Sequence, residues 1–188
     1  STTRKLERNR RLDEYDGIMW EQLTAGVTER IPEHPSGNIV HYVPHQPIIR
    51  EQAESTKMRI VYDCSSKTSD NVPSLNDCLE TGPSLQPLLF DILQRNRFRR
   101  YCVTGDVKKA FLQMMIRRCN CDAQRVLCYD DLECRDIAEY RFTRAIFGAT
   151  SSPYILAATL EKHLEQHANR YSDTIKAYEM TRMMTTSK

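Results

Sequence analysis

Asp106 is the residue around which chemistry could be organised. It closes a short apolar run, Tyr101-Cys102-Val103-Thr104-Gly105, and precedes Val107, Lys108, Lys109, Ala110 and Phe111. The layout predicts a strand over 101–106 that ends in a carboxylate, then a turn bearing two ammonium groups and an aromatic ring. Phosphoryl-transfer enzymes use such a layout: a rigid strand, a carboxylate for Mg²⁺, and nearby donors for phosphate oxygens. An Asp at a strand end also commonly caps the turn that follows, so the pattern alone leaves both roles open.

Positive charge gathers in runs. Residues 1–11 read STTRKLERNRR, residues 95–100 read RNRFRR, and Lys108, Lys109, Arg117 and Arg118 follow. Each run alone suits a solvated face, but runs flanking a metal-binding carboxylate fit a phosphate-rich partner. His41 and His45 flank Tyr42 and Pro44; His45 reads as a residue that orders its loop by hydrogen bonding. Asp130 and Asp131 fall in an expected turn and are given no catalytic role. Cys119 and Cys121 form a C-x-C pair, with Cys128 and Cys134 beyond. That is poor spacing for zinc, and the odd count of seven cysteines suits reduced thiols rather than a disulfide framework.

The elements that must position these residues follow from periodicity. Leu12, Tyr15, Met19, Leu23 and Val27 recur at three- and four-residue steps, with Ile18 and Trp20 widening the stripe, and predict a helix over 4–29 ended by Gly26 and Pro32. Residues 32–38 read as a loop, and 38–43 and 48–50 as strand candidates. Over 57–63, Lys57, Arg59, Val61 and Asp63 alternate with Met58, Ile60 and Tyr62, so one face is largely charged and the other apolar. A helix over 84–97 carries Leu85, Leu88, Leu89, Ile92 and Leu93 as a core stripe, with Pro87 in its first turn. Strands over 125–129 and 137–147 form a hairpin about Asp130-Asp131. Ser152 and Pro153 open a helix to 167 whose buried face carries Leu156, Leu160 and Leu164. The order indicates an α+β fold, a mixed or antiparallel sheet with helices packed on one face.

Composition sets the bounds. The chain has 188 residues, 40% of them hydrophobic and 28% charged, with a formal net charge of +2. That suits one domain or one and a half, with a real core, and excludes a disordered chain. No apolar run approaches membrane-spanning length, and no signal-peptide core is expected at the N-terminus. A net charge this small neither demands nor excludes a nucleic-acid partner, because local charge decides such binding.

Five blocks occur in order: YVPHQPIIR, KMRIVYDCSSKTSD, SLNDCLETGPSLQPLLFDIL, the Asp106 block, and FGATSSP. Together they resemble the reverse transcriptase region of BEL/Pao-type LTR retrotransposon polyproteins. The resemblance runs from the N-terminal helix to about residue 176, and SLNDCL with the downstream GPSLQ is its most distinctive part. It implies the fingers and palm of a right-hand polymerase, divided as a connecting helix (1–31), a fingers-like region with the start of the palm (32–100), a partial palm (101–176) and an aberrant tail (177–188). The activity implied for the intact enzyme is RNA-directed DNA polymerisation, with Mg²⁺ as cofactor and an RNA or DNA template-primer and dNTP as partners. No membrane partner is expected. Intracellular residence is implied, in the cytoplasm or in retroelement particles.

The resemblance assigns roles. Asp106 becomes the first catalytic carboxylate and a metal ligand, with the Val107 carbonyl as a neutral second ligand. Arg59 becomes the fingers arginine that grips the triphosphate, with Lys57 on the same face. The N–H groups near Lys109 and Ala110 become donors to the β- and γ-phosphates. Phe111 falls beneath the incoming sugar, where a ring excludes a 2′-hydroxyl and selects dNTP. Gly148 lets the backbone approach nucleotide and template. Many retroviral enzymes carry Gln before this Gly; here it is Phe147, which offers no polar contact.

The sequence contains no Tyr-x-Asp-Asp, the motif expected to supply the second carboxylate after the helix at 152–167. The chain is therefore expected to be truncated before that motif, to be inactive by itself, and to expose a palm edge through which it self-associates. The alternative is a non-catalytic nucleic-acid-binding or interaction module. The tail reads as a frame-shifted copy of the lost hairpin. Met183-Met184 must be ATG ATG; if Arg182 is CGT, reading from its last base gives TAT GAT GAC, Tyr-Asp-Asp. The nucleotide sequence decides this, since any other Arg182 codon ends the idea.

Overall fold

The computed structural model describes residues 2–31, 39–50, 52, 58–86, 88–98, 100–101, 105–173 and 175. Lys57, Pro87, the strand core 102–104 and the tail 177–188 lie outside the described residues. The fold is mixed α+β, with helices and two antiparallel sheets. The chain divides into two compact units. The first comprises Ser1–Glu80 and Phe111–Ser152, the second Thr81–Ala110 and Pro153–Lys188.

In the first unit the expected helix over 4–29 is two helices, α1 (Thr2–Arg8) and α2 (Leu12–Thr24), followed by a strand, β1 (Thr28–Arg30). Arg10, at φ 53°, turns the chain between the helices, a conformation no helix interior holds. Gly26, at φ 66°, ends the second, as the sequence suggests. Tyr15 and Met19 are buried and Leu12 and Leu23 pack against them, whereas Trp20 is 43% exposed and does not widen the stripe.

β2 (His45–Ile49) and β3 (Met58–Tyr62) form one antiparallel pair, with His45 opposite Tyr62 and Ile48 opposite Arg59. β3 alternates as expected: Met58 and Tyr62 are buried, Arg59 and Val61 exposed. The strand candidate 38–43 is reduced to a parallel bridge from Tyr42 to Arg125.

The second sheet has the order β1-β5-β4, from β4 (Arg125–Asp131) and β5 (Asp136–Phe142). Asp130 and Asp131 lie in β4, not in the turn, which falls on 132–135. A register shift between Tyr129 and Asp131 accommodates them, and Asp131 accepts the N–H groups of Glu133 and Cys134 at 2.7 and 3.2 Å. Val126, Phe142 and Ile146 are fully buried at the centre of the core, and the Tyr62 ring meets Phe142 edge-on at 4.8 Å. A short helix, α3 (Leu89–Arg97), belongs to the second unit; α4 (Arg118–Cys121) belongs to the first.

The second unit departs most from expectation. α3 begins about five residues late, and Leu88, Leu89, Phe90 and Leu93 are 55–69% exposed. On α5 (Ser152–Gln166), Leu160 is exposed and Leu156 and Leu164 are half-buried. Helical spacing lays down an apolar face without supplying its partner, and no strand is assigned among the described residues of this unit. Within it, Gly82 runs against the Tyr154 ring. Ser152, the last residue of the first unit, does not cap α5; its hydroxyl donates to the Ile146 carbonyl of the same unit at 2.7 Å.

Candidate functional site

Gly148 sits at φ 99°, outside the range that side chains adopt readily. A Cβ there would lie 2.5 Å from the Tyr62 carbonyl oxygen at the end of β3. Asn76 holds this turn. Its Nδ2 donates to the Gly148 carbonyl at 2.9 Å and to Ser65 Oγ at 2.8 Å, and its Oδ1 accepts the Thr150 N–H at 3.0 Å. Its own N–H reaches the Cys64 carbonyl at 3.0 Å. Asn76 comes from SLNDCL, Cys64 and Ser65 from KMRIVYDCSS, and Gly148 to Thr150 from FGATSSP. Three sequence blocks therefore meet in one hydrogen-bonded cluster. The neighbouring Asp77 closes a turn with Ser74 and pairs with Lys67 at 2.7 Å. Its carboxyl is held down to about 2 by the Lys67 and Ser74 hydrogen bonds. The sequence reading gives Asn76 no role of its own; its place in the SLNDCL block is the one signal the sequence carries.

Arg59 projects from β3 as an exposed side chain, three residues before the carbonyl that meets Gly148. Phe111 lies in a 3₁₀ turn, Ala110–Gln113, half-buried, with its ring edge-on to Phe147 at 4.7 Å. Phe147 is thus an aromatic partner of Phe111. Arg59, Phe111 and Gly148 all belong to the first unit.

Asp106, Val107, Lys109 and Ala110 belong to the second unit. Gly105 to Val107 are exposed and in neither strand nor helix, so the strand expected over 101–106 is absent from its described end. Lys108 and Lys109 form a turn, with Lys109 at φ 52°. The Asp106 carboxylate and the Val107 carbonyl are hard oxygen donors. They fit Mg²⁺, which takes one or two carboxylates and leaves its other positions to water and phosphate. Among the described residues no three His, Cys, Asp or Glu side chains converge.

A buried ionic cluster went unforeseen. Asp122 is fully buried. Its Oδ1 accepts Arg125 Nε and Nη2 at 3.0 and 2.8 Å, and its Oδ2 accepts Arg141 Nη1 at 2.8 Å. Arg141 also donates from Nε to Glu29 at 2.8 Å, and Arg125 Nη1 reaches Glu139 and the Tyr42 hydroxyl, each at 3.3 Å. Burial alone would lower the arginine pKa values. For Arg125, Tyr42 and Asp122 outweigh it; for Arg141, Glu29 and Asp122 do. Arg125 and Arg141 face each other across β4 and β5. Two like charges in that register need a carboxylate between them, a need that shows only once the register is known.

His45 bridges elements. Its Nε2 lies 2.9 Å from the Leu127 carbonyl, which can only accept, so Nε2 carries the proton and Nδ1 accepts from the Tyr15 hydroxyl. Burial lowers the His45 pKa and raises that of Tyr15. The pair borders an apolar cavity of about 290 Å³ lined by residues that include Leu6, Leu12, Met19, Asp16 and Ile137. The cavity is lined also by Cys128, whose thiol burial pushes up to about 12, too high for nucleophilic work near neutrality.

No family model matches the chain, and no curated protein matches it.

Proposed function

We propose that the chain is the fingers and partial palm of an RNA-directed DNA polymerase of the BEL/Pao retrotransposon type. What supports the reading is the meeting of three of its sequence blocks at Asn76, Tyr62 and Gly148. A family motif scattered over a chain by chance has no reason to converge on one turn. Asn76 fixes the carbonyl of Gly148 and the N–H of Thr150, so the absence of a side chain at 148 is held in a defined place. That suits a backbone that must come close to a base or a sugar.

In the intact enzyme Arg59 would bind triphosphate oxygens through its planar fork, with Lys57 beside it. Phe111, backed by Phe147, would press on the sugar and exclude a 2′-hydroxyl. The N–H groups of Lys109 and Ala110 would donate to phosphate oxygens. Asp106 and the Val107 carbonyl would hold Mg²⁺, which supplies charge stabilisation for the attacking and leaving oxygens. Nucleic acid and dNTP are then the partners, and cytoplasm or retroelement particles the location. Among the described residues no helix is long and apolar enough to cross a membrane.

The sequence provides no Tyr-x-Asp-Asp, so this chain by itself is proposed not to polymerise. Loss of a metal-binding carboxylate costs several kcal/mol of transition-state stabilisation, on the order of a thousandfold or more in rate. The test uses the 188-residue chain with a primed RNA template, dNTP and Mg²⁺. The expected result is salt-sensitive binding of the primed template without extension. Robust dNTP incorporation would refute the inactivity, and absence of binding at low salt would remove the nucleic-acid reading.

A further inference from the structure

We propose that His163 and His167 form a surface site for a borderline divalent transition-metal ion, of the Cu²⁺, Ni²⁺ or Zn²⁺ class. His163 lies in α5 and His167 is the first residue beyond it, four positions on. Both side chains are exposed, and their rings lie 4.3 Å apart, centroid to centroid, tilted by 37°. One helical turn therefore presents two imidazoles side by side, the spacing by which paired histidines chelate a metal.

The protonation pattern favours a ligand. His167 Nδ1 lies 2.9 Å from the His163 carbonyl oxygen. That oxygen can only accept, so Nδ1 carries the proton and the Nε2 lone pair is left for a metal. A backbone carbonyl on the second ring nitrogen is the usual support of a metal-ligating histidine, because it fixes tautomer and ring orientation. The same bond holds His167 on the last turn of the helix, where its own N–H reaches the Leu164 carbonyl at 3.1 Å. Nearby, Lys162 is paired with Glu165 at 3.0 Å, which offsets its repulsion of a cation.

Two imidazoles select the metal. They suit copper, nickel and zinc, whereas magnesium and calcium prefer oxygen donors. The site is thus chemically distinct from the Asp106 carboxylate and independent of the polymerase reading. No third protein ligand joins it among the described residues, so water or an added ligand fills the other positions.

The test titrates Ni²⁺ alone into the 188-residue chain and follows the imidazole C–H resonances of its five histidines by NMR. The His163 and His167 signals, assigned from His163→Ala and His167→Ala, should broaden at the lowest metal concentration. Each single variant should weaken binding at the remaining ring roughly tenfold or more, because the chelate is lost. The double change His167→Ala with Ala168→His keeps the histidine count but moves the second ring about 100° around the helix, and should lose the site equally. The six described cysteines, all in the first unit, give a background that these variants leave unchanged. Equal affinity in the shifted double variant, or simultaneous broadening of the other histidines, would overturn the proposal. Circular dichroism of each variant verifies that the helix persists.

Discussion

Replacing Gly148 by Ala separates two costs that are usually merged, because Gly26 provides the control. Both glycines have positive φ, 99° and 66°, and both lie in the first unit. At Gly26 an added Cβ meets nothing within 4 Å, so only backbone strain acts. That strain is about 1–2 kcal/mol, partly offset by about 0.4–1 kcal/mol from a stiffer unfolded chain. Gly26→Ala should therefore cost about 0–1.5 kcal/mol. At Gly148 the Cβ would lie 2.5 Å from the Tyr62 carbonyl, a backbone atom that cannot swing aside. Tyr62 is 5% exposed, paired with His45 across the sheet, and its hydroxyl donates to Gln22 at 2.9 Å. Relieving the overlap means moving β3 or the turn that Asn76 clamps, an overpacking cost of about 1–3 kcal/mol added to the strain. With the same unfolded-chain offset as at Gly26, Gly148→Ala should then lose about 1–4.5 kcal/mol, more than the control by the overpacking cost. The assay is urea unfolding read by fluorescence. The chain has one tryptophan, Trp20, which lies in α2 and so reports on the first unit. Equal midpoint shifts for the two variants, at equal slope, would show that the Tyr62 carbonyl does not constrain position 148. The structural argument for a site at that turn would fall with it.

Asp122→Ala should destabilise the first unit by about 3–5 kcal/mol, since it strands two buried guanidinium groups; a urea midpoint consistent with about 1 kcal/mol or less would mean that Glu29 and Glu139 suffice. His45 gives a pH dependence. Burial depresses its folded pKa below the ordinary 6.5, so the unfolded chain binds more protons between the two values. Its contribution is complete above about pH 6.5 and is lost as the pH falls below it. His45→Gln should flatten the stability profile between about pH 5 and 7, and an unchanged slope would place the titration elsewhere.

Local pattern made some elements legible and tertiary partners decided the rest. The alternation in β3 and the stripe of Tyr15 and Met19 needed only a periodicity, and both faces appear as read. The break at Arg10 carries no glycine or proline, so nothing local announced it. The exposure of Leu88, Leu89 and Leu93 was equally invisible, because a stripe states what a helix would bury and not what is there to cover it. Polarity alone places Asp130 and Asp131 in a turn. The strand keeps them because Asp130 accepts the Tyr140 hydroxyl at 2.6 Å and pairs with Arg30 at 3.1 Å.

The candidate site divides along the same line. The resemblance singled out Gly148 and Arg59, and the turn at Gly148 has a stated reason for its glycine. What identity could not reveal was Asn76, whose amide works only because residues 65, 76, 148 and 150 are brought together by folding. Arg125 and Arg141 make the complementary case. Each alone reads as a solvated charge, and only the register that sets them opposite one another makes a buried Asp122 necessary. The first unit thus combines two arginines buried on one carboxylate with a side-chain-free turn held against a strand end by the Asn76 amide. Under the polymerase reading proposed above, that hydrogen-bonded frame is what would keep the Gly148 turn in place when a nucleotide approaches.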